Sequence, residues 1–483
     1  MTGRELLAGL PHRRLQGTLD VSCGSLTYDS RRVTPGTAFV ALKGARVDGH
    51  DFVEAAVQLG AALIIVEREI TIGPDAAVVQ VEDCRAALAT LASIFHGHPA
   101  RTLKLIGITG TNGKTSVAFL LRHLLQHAGR RCGMIGTVEY DLGDRVLPAT
   151  RTTPESLELH QYFAGMVKSG CEFCVMEISS HALAQQRVAG LEFEGVVFTN
   201  LTQDHLDYHG DMENYFAVKR QLFEMTQEPA VRIANADDTH GEKLAREFQA
   251  QTFGETVGAD FQVSHLDLGQ RESRFQIAGT KYRIPLIGRH NISNAAAAIT
   301  LARGLGFSSG ECAAALATVE PVPGRLEPIE CGQPFAVYVD YAHTDDALRQ
   351  VLATLREITP GTLRVLFGCG GNRDAGKRFK MGAVAAELAD VICITTDNPR
   401  RENPETIARQ IGEGCASVRE SGWRMEPDRE RAIDEILREA EPGDTVLIAG
   451  KGHETYQEID DAIFPFDDRE TARADLVAIE EAR

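Results

Sequence analysis

Apolar residues in this chain recur in two alternating patterns. Short unbroken runs such as "TAFVAL" (37–42), "AALIIV" (61–66) and "AAVVQV" (76–81) have the length and composition of buried strands. "LKLIGIT" (103–109) is another such run and leads into a glycine-rich loop. Beyond that loop, Val117, Leu120, Leu121, Leu124 and Leu125 stand at i, i+3, i+4, i+7 and i+8, the spacing of one helix face. Strand and helix signals alternate to the end of the chain, which predicts α/β domains with largely parallel sheets. Two Pro/Gly-containing junctions, "FHGHPA" (95–100) and "PVPGRLE" (321–327), divide it into residues 1–98, 99–327 and 328–483.

The unusual polar residues fall at one kind of place. "CVMEI" runs into "SSHALAQQR", "GVVFTN" into "LTQDHLDYHG", and "FAVYVD" into "YAHTDDAL". Likewise "LRVLFG" leads to "CGGNRDAGKR", "VICITT" to "DNPR", and "TVLIAG" to "KGHETYQ". Each cluster lies just past the C-terminal end of an expected strand, the edge where open α/β sheets bind ligands. Six such coincidences beside a glycine loop predict an enzyme with several substrates.

The loop, "ITGTNGKTS" (108–116), has Gly113, Lys114 and Thr115 of a phosphate-cradling motif, but Ile108 where its first glycine belongs. In a strand–loop–helix context, the N–H groups of the helix start can hold phosphate oxygens. Lys114 would reach the β- and γ-phosphates and the Thr115 hydroxyl would ligate Mg²⁺. Glu177 and His205, each at a strand end, could bind a divalent cation that bridges ATP to a second substrate. His205 and His209 resemble half of a zinc site but lack the remaining ligand pattern. "GCGGNRD" resembles a dinucleotide turn, yet Arg373 stands where a small residue is required. In "DNPR", Asp397 or Asn398 can fold the chain back and Pro399 fixes φ, which presents Arg400 from a stiff turn toward a carboxylate. Arg373 and Glu454 at neighbouring strand ends extend this to a zwitterion pocket, with arginines for carboxylates and Glu454 for an ammonium.

Composition narrows the class. The 483 residues are 43% hydrophobic and 24% charged, as expected of a soluble globular protein. A net charge of −18 argues against general nucleic-acid or anionic-membrane binding, although a local basic pocket can still take a small anion. Neither a signal peptide nor a run of about 18 apolar residues is present, so a cytoplasmic protein without membrane insertion is expected, and a monomer. Of the ten cysteines only Cys171 and Cys174 form a close pair, beside an apolar run, and buried reduced thiols are expected.

"GTNGKT", "EISSHAL", "NLTQDHLDYHG", "GRHNISNAAAA", "PGRLE", "DYAHTDDAL", "DNPR" and "GKGHE" occur in an order that resembles the Mur ligases over nearly the whole chain. The resemblance implies an ATP-dependent amide ligation in peptidoglycan synthesis. It also implies an N-terminal UDP-sugar-binding domain, a central ATPase and a C-terminal Rossmann-like domain. By the same resemblance Gly110, Thr111, Asn112, Gly113, Lys114, Thr115, Asn291, Asn294, Arg325 and Asp340 serve ATP, with His343 close by. Thr115, Glu177, His205 and Lys219 surround Mg²⁺, and Lys219 matches a carbamylated lysine, where its sequence context alone suggests a solvated one. Tyr28, Ser30, Ala45, Arg46, Val47, Thr152, Thr153, Ser179, Gln185 and Arg187 match positions that hold UDP-MurNAc-L-Ala-D-Glu. "DNPR" is the form associated with members that add meso-diaminopimelate. Arg373, Asp397, Asn398, Pro399, Arg400, Gly450 and Glu454 would bind it. Lysine as the added amino acid, or a folylpolyglutamate-type activity, is the alternative. If Arg400 were buried and met the distal carboxylate, lysine would cost roughly 3–5 kcal/mol. Two positions depart from the family pattern: Arg151 stands where some relatives have Asn, and Asp345 replaces a common proline.

Overall fold

The computed structural model describes residues 1–44, 47–70, 72–73 and 75–482, so Ala45 and Arg46 lie outside the described residues. The chain forms two compact units, residues 1–261 with 297–308, and residues 262–296 with 309–483.

The first unit holds two sheets. Strands β1 (Arg13–Gln16), β2 (Ser25–Thr27), β3 (Thr37–Val40), β4 (Ala61–Val66) and β5 (Ala77–Gln80) pair in the order β1-β5-β4-β3-β2. The run "AALIIV" is apolar at both parities because both faces of β4 are covered. Leu63 and Ile65 pack in a core with Leu88 and Leu91 of the helix Cys84–Phe95, and Ile64 and Val66 pack with Val53 and Ala56 on the other side. Asp83 caps that helix, accepting from the N–H groups of Arg85 and Ala86.

The second sheet of this unit is built on β6 (Lys104–Thr109). To one side lie β10 (Phe173–Glu177), β7 (Cys132–Ile135), β8 (Glu139–Asp141) and β9 (Val146–Pro148). To the other lie β11 (Phe193–Phe198), β12 (Thr226–Asn235) and β13 (Gln251–Gly254). β6 runs parallel to both of its neighbours, with Ile108 opposite Glu177 and Thr109 opposite Phe198. The glycine loop therefore leaves the sheet between the two clusters that follow β10 and β11, at the point where strand order reverses. The helix Lys114–His127 buries all five residues of the expected apolar face.

In the second unit, β14 (Phe261–Leu268), β15 (Ser273–Ile277) and β16 (Thr280–Ile284) form an antiparallel meander. Strands β17 (Glu327–Pro328), β18 (Ala336–Asp340), β19 (Leu363–Phe367), β20 (Val391–Ile394), β21 (Trp423–Met425) and β22 (Thr445–Ala449) pair in the order β17-β18-β22-β19-β20-β21. All of these pairs are parallel except β17 with β18. Helices Asp345–Ile358, Gly376–Leu388 and Pro404–Ala416 cover one face, and Arg429–Arg438 and Asp468–Ala482 the other. This is the doubly wound, Rossmann-like arrangement expected for the C-terminal part, and the largely parallel α/β sheets are those predicted from the strand–helix alternation. A hairpin of β23 (Tyr456–Ile459) and β24 (Ala462–Pro465) follows. Asp345 begins a helix whose cap is Thr344, so a carboxylate stands at the first helical position where a proline's fixed φ would serve equally. All ten cysteines are free and nine are buried, including Cys171 and Cys174. No helix among the described residues is long and apolar enough to cross a membrane.

Candidate active site

The glycine loop is braced from the β11 end. Gly110 has φ +146°, and a side chain there would overlap the Thr199 hydroxyl, so only glycine fits. Asn200 accepts from Thr111 N–H through its backbone carbonyl and from Asn112 N–H through its side chain, both at 2.9 Å. Gly113, at φ +86°, precedes the first helical residue, Lys114. The Lys114 ammonium donates to the carbonyls of Gly110 and Thr111 at 3.0 and 2.8 Å.

Beside the loop, the Thr115 hydroxyl donates to Glu177 Oε2 at 3.0 Å. Glu177 is buried, and Thr137 secures it through N–H to Oε1 at 2.8 Å and hydroxyl to Oε2 at 3.1 Å. His205 sits at φ +53°, about half exposed, with its ring 4.8 Å from that of His181. Burial lowers its pKa. Lys219 corrects the solvated reading drawn from its sequence context. It is 1% exposed, donates to Gly110 O at 2.8 Å and lies over the Tyr215 ring. Burial first, then the charge of Lys114, takes its pKa well below the ordinary lysine value. The helix Met212–Glu224 carries Lys219 inward on the same face as Tyr215, Leu222 and Phe223.

A second group of expected residues continues from Glu177. Thr152 shares a 3.1 Å hydroxyl contact with Thr137, and the Thr153 hydroxyl donates to Glu177 O at 2.7 Å. Ser179 N–H donates back to Thr153 at 3.1 Å, while the Ser179 hydroxyl caps a short helix. Arg187 donates to Thr153 O and Gln185 Oε1 at 2.8 and 2.7 Å. Its Nε lies 3.0 Å from Glu155, a carboxylate that also meets Arg151 at 2.6 Å and Arg85 at 3.7 Å. Three guanidinium groups, those of Arg187, Arg151 and Arg85, therefore meet one carboxylate. Tyr28 reaches this region, donating to Glu158 at 3.0 Å. Ser30 opens the short 3-10 helix Ser30–Arg32, and Val47 is exposed, so neither is tied to the cluster by its own hydrogen bonds.

The remaining candidates belong to the second unit. Asn291 and Asn294 are buried in the helix Arg289–Gly304, where Asn291 donates to Ile287 O and accepts from Asn294. Asp340 spends its carboxylate on the N–H groups of Leu326 and Ala342, both at 2.7 Å, and burial raises its pKa. Arg325 stacks on Tyr341, and His343 Nδ1 contacts Tyr341 O at 2.9 Å. In the turn after β20, Asp397 and Asn398 are buried and Arg400 takes φ +52°. Arg400 donates to Glu458 at 2.8 Å and to Gly371 O at 2.9 Å. Asn398 joins the two loops: it donates to Glu454 at 2.9 Å and accepts from Lys451 at 3.2 Å. Burial raises the pKa of Glu454, against the nearby ammonium of Lys451. Gly450, at φ +111°, would bring a side chain to 2.7 Å from Asp397 Oδ2. Arg373 is exposed on the loop after β19.

Sequence reasoning passed over Thr137, Asn200, Tyr215, Glu155, Arg85 and Lys451. Lys451 stands inside a strand-end cluster and Asn200 closes the run before one, so both were within reach of that signal. The others act through partners 40 or more residues away in most cases, and nothing local marks them.

Family models match in three segments: "Mur ligase family, catalytic domain" over 24–96, "Mur ligase middle domain" over 108–302, and "Mur ligase, glutamate ligase domain" over 324–452. Similar proteins include the UDP-N-acetylmuramoyl-L-alanyl-D-glutamate–2,6-diaminopimelate ligase of Solibacter usitatus, 46% identical over 93% of this chain and 92% of that protein. The protein of the same name from Geobacillus kaustophilus is 44% identical over 93% and 94%. Among solved structures, a ligase of that name superposes with a TM-score of 0.70 at 31% identity, covering 100% of this chain and 99% of that one. The MurF ligase of Thermotoga maritima in complex with ADP shares the fold at 19% identity, with a TM-score of 0.62 over 96% and 99%.

Proposed function

The chain belongs to the Mur ligase family of ATP-dependent ligases, and we propose that it joins meso-diaminopimelate to the D-Glu side-chain carboxylate of UDP-MurNAc-L-Ala-D-Glu. The observation that carries this reading is an arginine turn and a half-buried carboxylate at the ends of two strands of one sheet: Arg400, paired with Glu458, and Glu454, held by Asn398 of the same turn. Together they complement an amino acid that presents both a carboxylate and an ammonium. The relatives' names specify 2,6-diaminopimelate.

A carboxylate is a poor acyl donor, so it is first activated. An oxygen of the D-Glu carboxylate attacks the γ-phosphorus of ATP, the bond to the β-phosphate oxygen breaks, and ADP leaves. The amine then attacks the acyl carbon, expels phosphate and loses a proton to form the amide. Two anions must approach in the first step. In this reading Lys114 exchanges its two loop carbonyls for phosphate oxygens and offsets that repulsion, with the N–H groups at the helix start after Gly113. By the family resemblance Asn291, Asn294, Arg325 and Asp340 also serve ATP, and Asp340 fixes the "PGRLE" turn. Tyr28, Ser30, Val47, Thr152, Thr153, Ser179, Gln185 and Arg187 hold the sugar-linked dipeptide.

The donor set suits Mg²⁺. Thr115 and Glu177 offer hard oxygen donors 3.0 Å apart, and adjacent ligands of an octahedral Mg²⁺ stand about 3 Å from one another. His205 would add a nitrogen. When bound, the cation supplies charge neutralisation for the phosphoryl transfer. The Lys219 amine fits the set only after its nitrogen adds to CO₂ and loses a proton, which converts a donor into an anionic acceptor. Its depressed pKa favours the neutral amine that this addition requires.

Arg400 already has Glu458 as partner, so lysine would not leave it orphaned. The discrimination expected from the distal carboxylate therefore falls to about 1.5–3 kcal/mol, roughly ten- to a hundred-fold. Phosphate release measured with UDP-MurNAc-L-Ala-D-Glu, ATP and each amino acid in turn tests the reading. It should require all three components and favour diaminopimelate, and activity with lysine alone would defeat it.

A further inference from the structure

Two fully enclosed charges in the second unit have no part in the chemistry above. Arg429 and Asp468 are both 0% exposed and meet through Nε and Nη2 at 2.7 Å each. Arg429 has N–H groups left over. Nη2 also donates to the carbonyl of Ala449 at 3.0 Å, and Nη1 donates to that of Thr396 at 3.3 Å. Ala449 ends β22 and is followed directly by "GKGHE". Thr396 lies just past β20 and is followed directly by "DNPR". In the sheet these two strands are not neighbours, because β19 lies between them. No ladder hydrogen bond can couple their ends, and one guanidinium bridges them instead.

The spacing it sets is a tight one. A side chain on Gly450 would come within 2.7 Å of Asp397, and Asn398 must reach both Lys451 and Glu454. A planar fork with fixed N–H directions holds two carbonyls at one separation, which a flexible ammonium does not. We propose that Arg429, oriented by Asp468, is a positioning residue for amino-acid binding. It sets the distance between the turn that carries Arg400 and the loop that carries Glu454. The inference rests on the reading that these two loops hold the incoming amino acid.

A buried ion pair replaced by apolar residues of similar volume often leaves a fold as stable or more so, which separates positioning from stability. In the full-length enzyme, R429M/D468L should melt at or above the temperature of the unaltered protein. Its KM for diaminopimelate should rise at least tenfold, while KM for ATP and for the UDP-linked dipeptide stays within twofold. R429K keeps the charge pair but loses the fork, and should raise the diaminopimelate KM at least fivefold with the other two unchanged. An unchanged diaminopimelate KM in folded R429K overturns the proposal. So does a uniform loss across all three substrates, which would assign the pair to folding alone. If the unaltered enzyme releases no phosphate with diaminopimelate, the reading beneath the proposal fails instead.

Discussion

Lys219 illustrates how a single residue changes meaning between sequence and structure. On a helix that begins "MENYFAVKRQ" it looks like any solvated lysine, yet it is enclosed beside the glycine loop with its Nζ on Gly110 O. Its pKa lies below that of an unfolded lysine, so across the interval between the two values the unfolded chain binds more protons. Stability contributed by this unmodified group therefore rises with pH through that interval. Lys219→Met removes the amine without opening a cavity. We expect a melting temperature at or above that of the unaltered enzyme together with at least a hundred-fold loss of turnover, a trade typical of buried functional charges. A 13C carbamate signal after exposure to labelled bicarbonate, absent in the variant, would identify the modification. Glu454 titrates in the opposite sense. Its pKa is raised by burial, so protonation sets in at a higher pH than for an ordinary glutamate, and a neutral carboxyl cannot pair with an ammonium. The KM for diaminopimelate should climb as pH falls through that raised value, and a Glu454→Gln variant should show a high KM with little pH dependence over the same range.

At the scale of elements, most of the pattern was legible. The five apolar positions of the loop helix are all buried, and "AALIIV" became β4 residue for residue. Both signals are local, since a strand or helix face is written into consecutive residues. The glycine loop between β6 and that helix is equally demanding. Gly110→Ala places a Cβ against Thr199 at a φ that other residues resist, and should cost at least 1–3 kcal/mol in chemical denaturation along with nucleotide affinity. Asp345 offers the contrasting case. Thr344 has the extended φ/ψ that precedes proline comfortably, and the first helical N–H needs no partner. Asp345→Pro should therefore shift stability by less than about 1 kcal/mol and leave kcat unaltered. What the pattern did not show is how elements brace each other. Thr137, which secures both oxygens of Glu177, lies in the turn after β7, forty residues earlier, and carries no mark of that role.

For the whole molecule, the six strand-end clusters lie past the strands of their own sheets, within two units that each have their own cores, while Lys219, Asn291 and Asn294 stand on helices. The expected ligands divide between the two units. Hydrogen exchange with diaminopimelate at a hundred times its Kd should show about 2.7 kcal/mol of added protection, centred on the loops after β20 and β22. The UDP-linked dipeptide should instead protect Thr152–Ser179 and its surroundings, and a reversed pattern would contradict the assignments. The sequence by itself determined the fold class, the nucleotide loop, the ordered motifs and hence the family, because each is encoded in short runs whose chemistry needs no distant partner. Only the tertiary structure decided that Lys219 is buried, that Arg400 already holds Glu458, and that Arg429 links the ends of β20 and β22. The reason is the order in which strands assemble: β22 and β20 come to flank β19, and no local pattern in the chain records which strands will lie side by side.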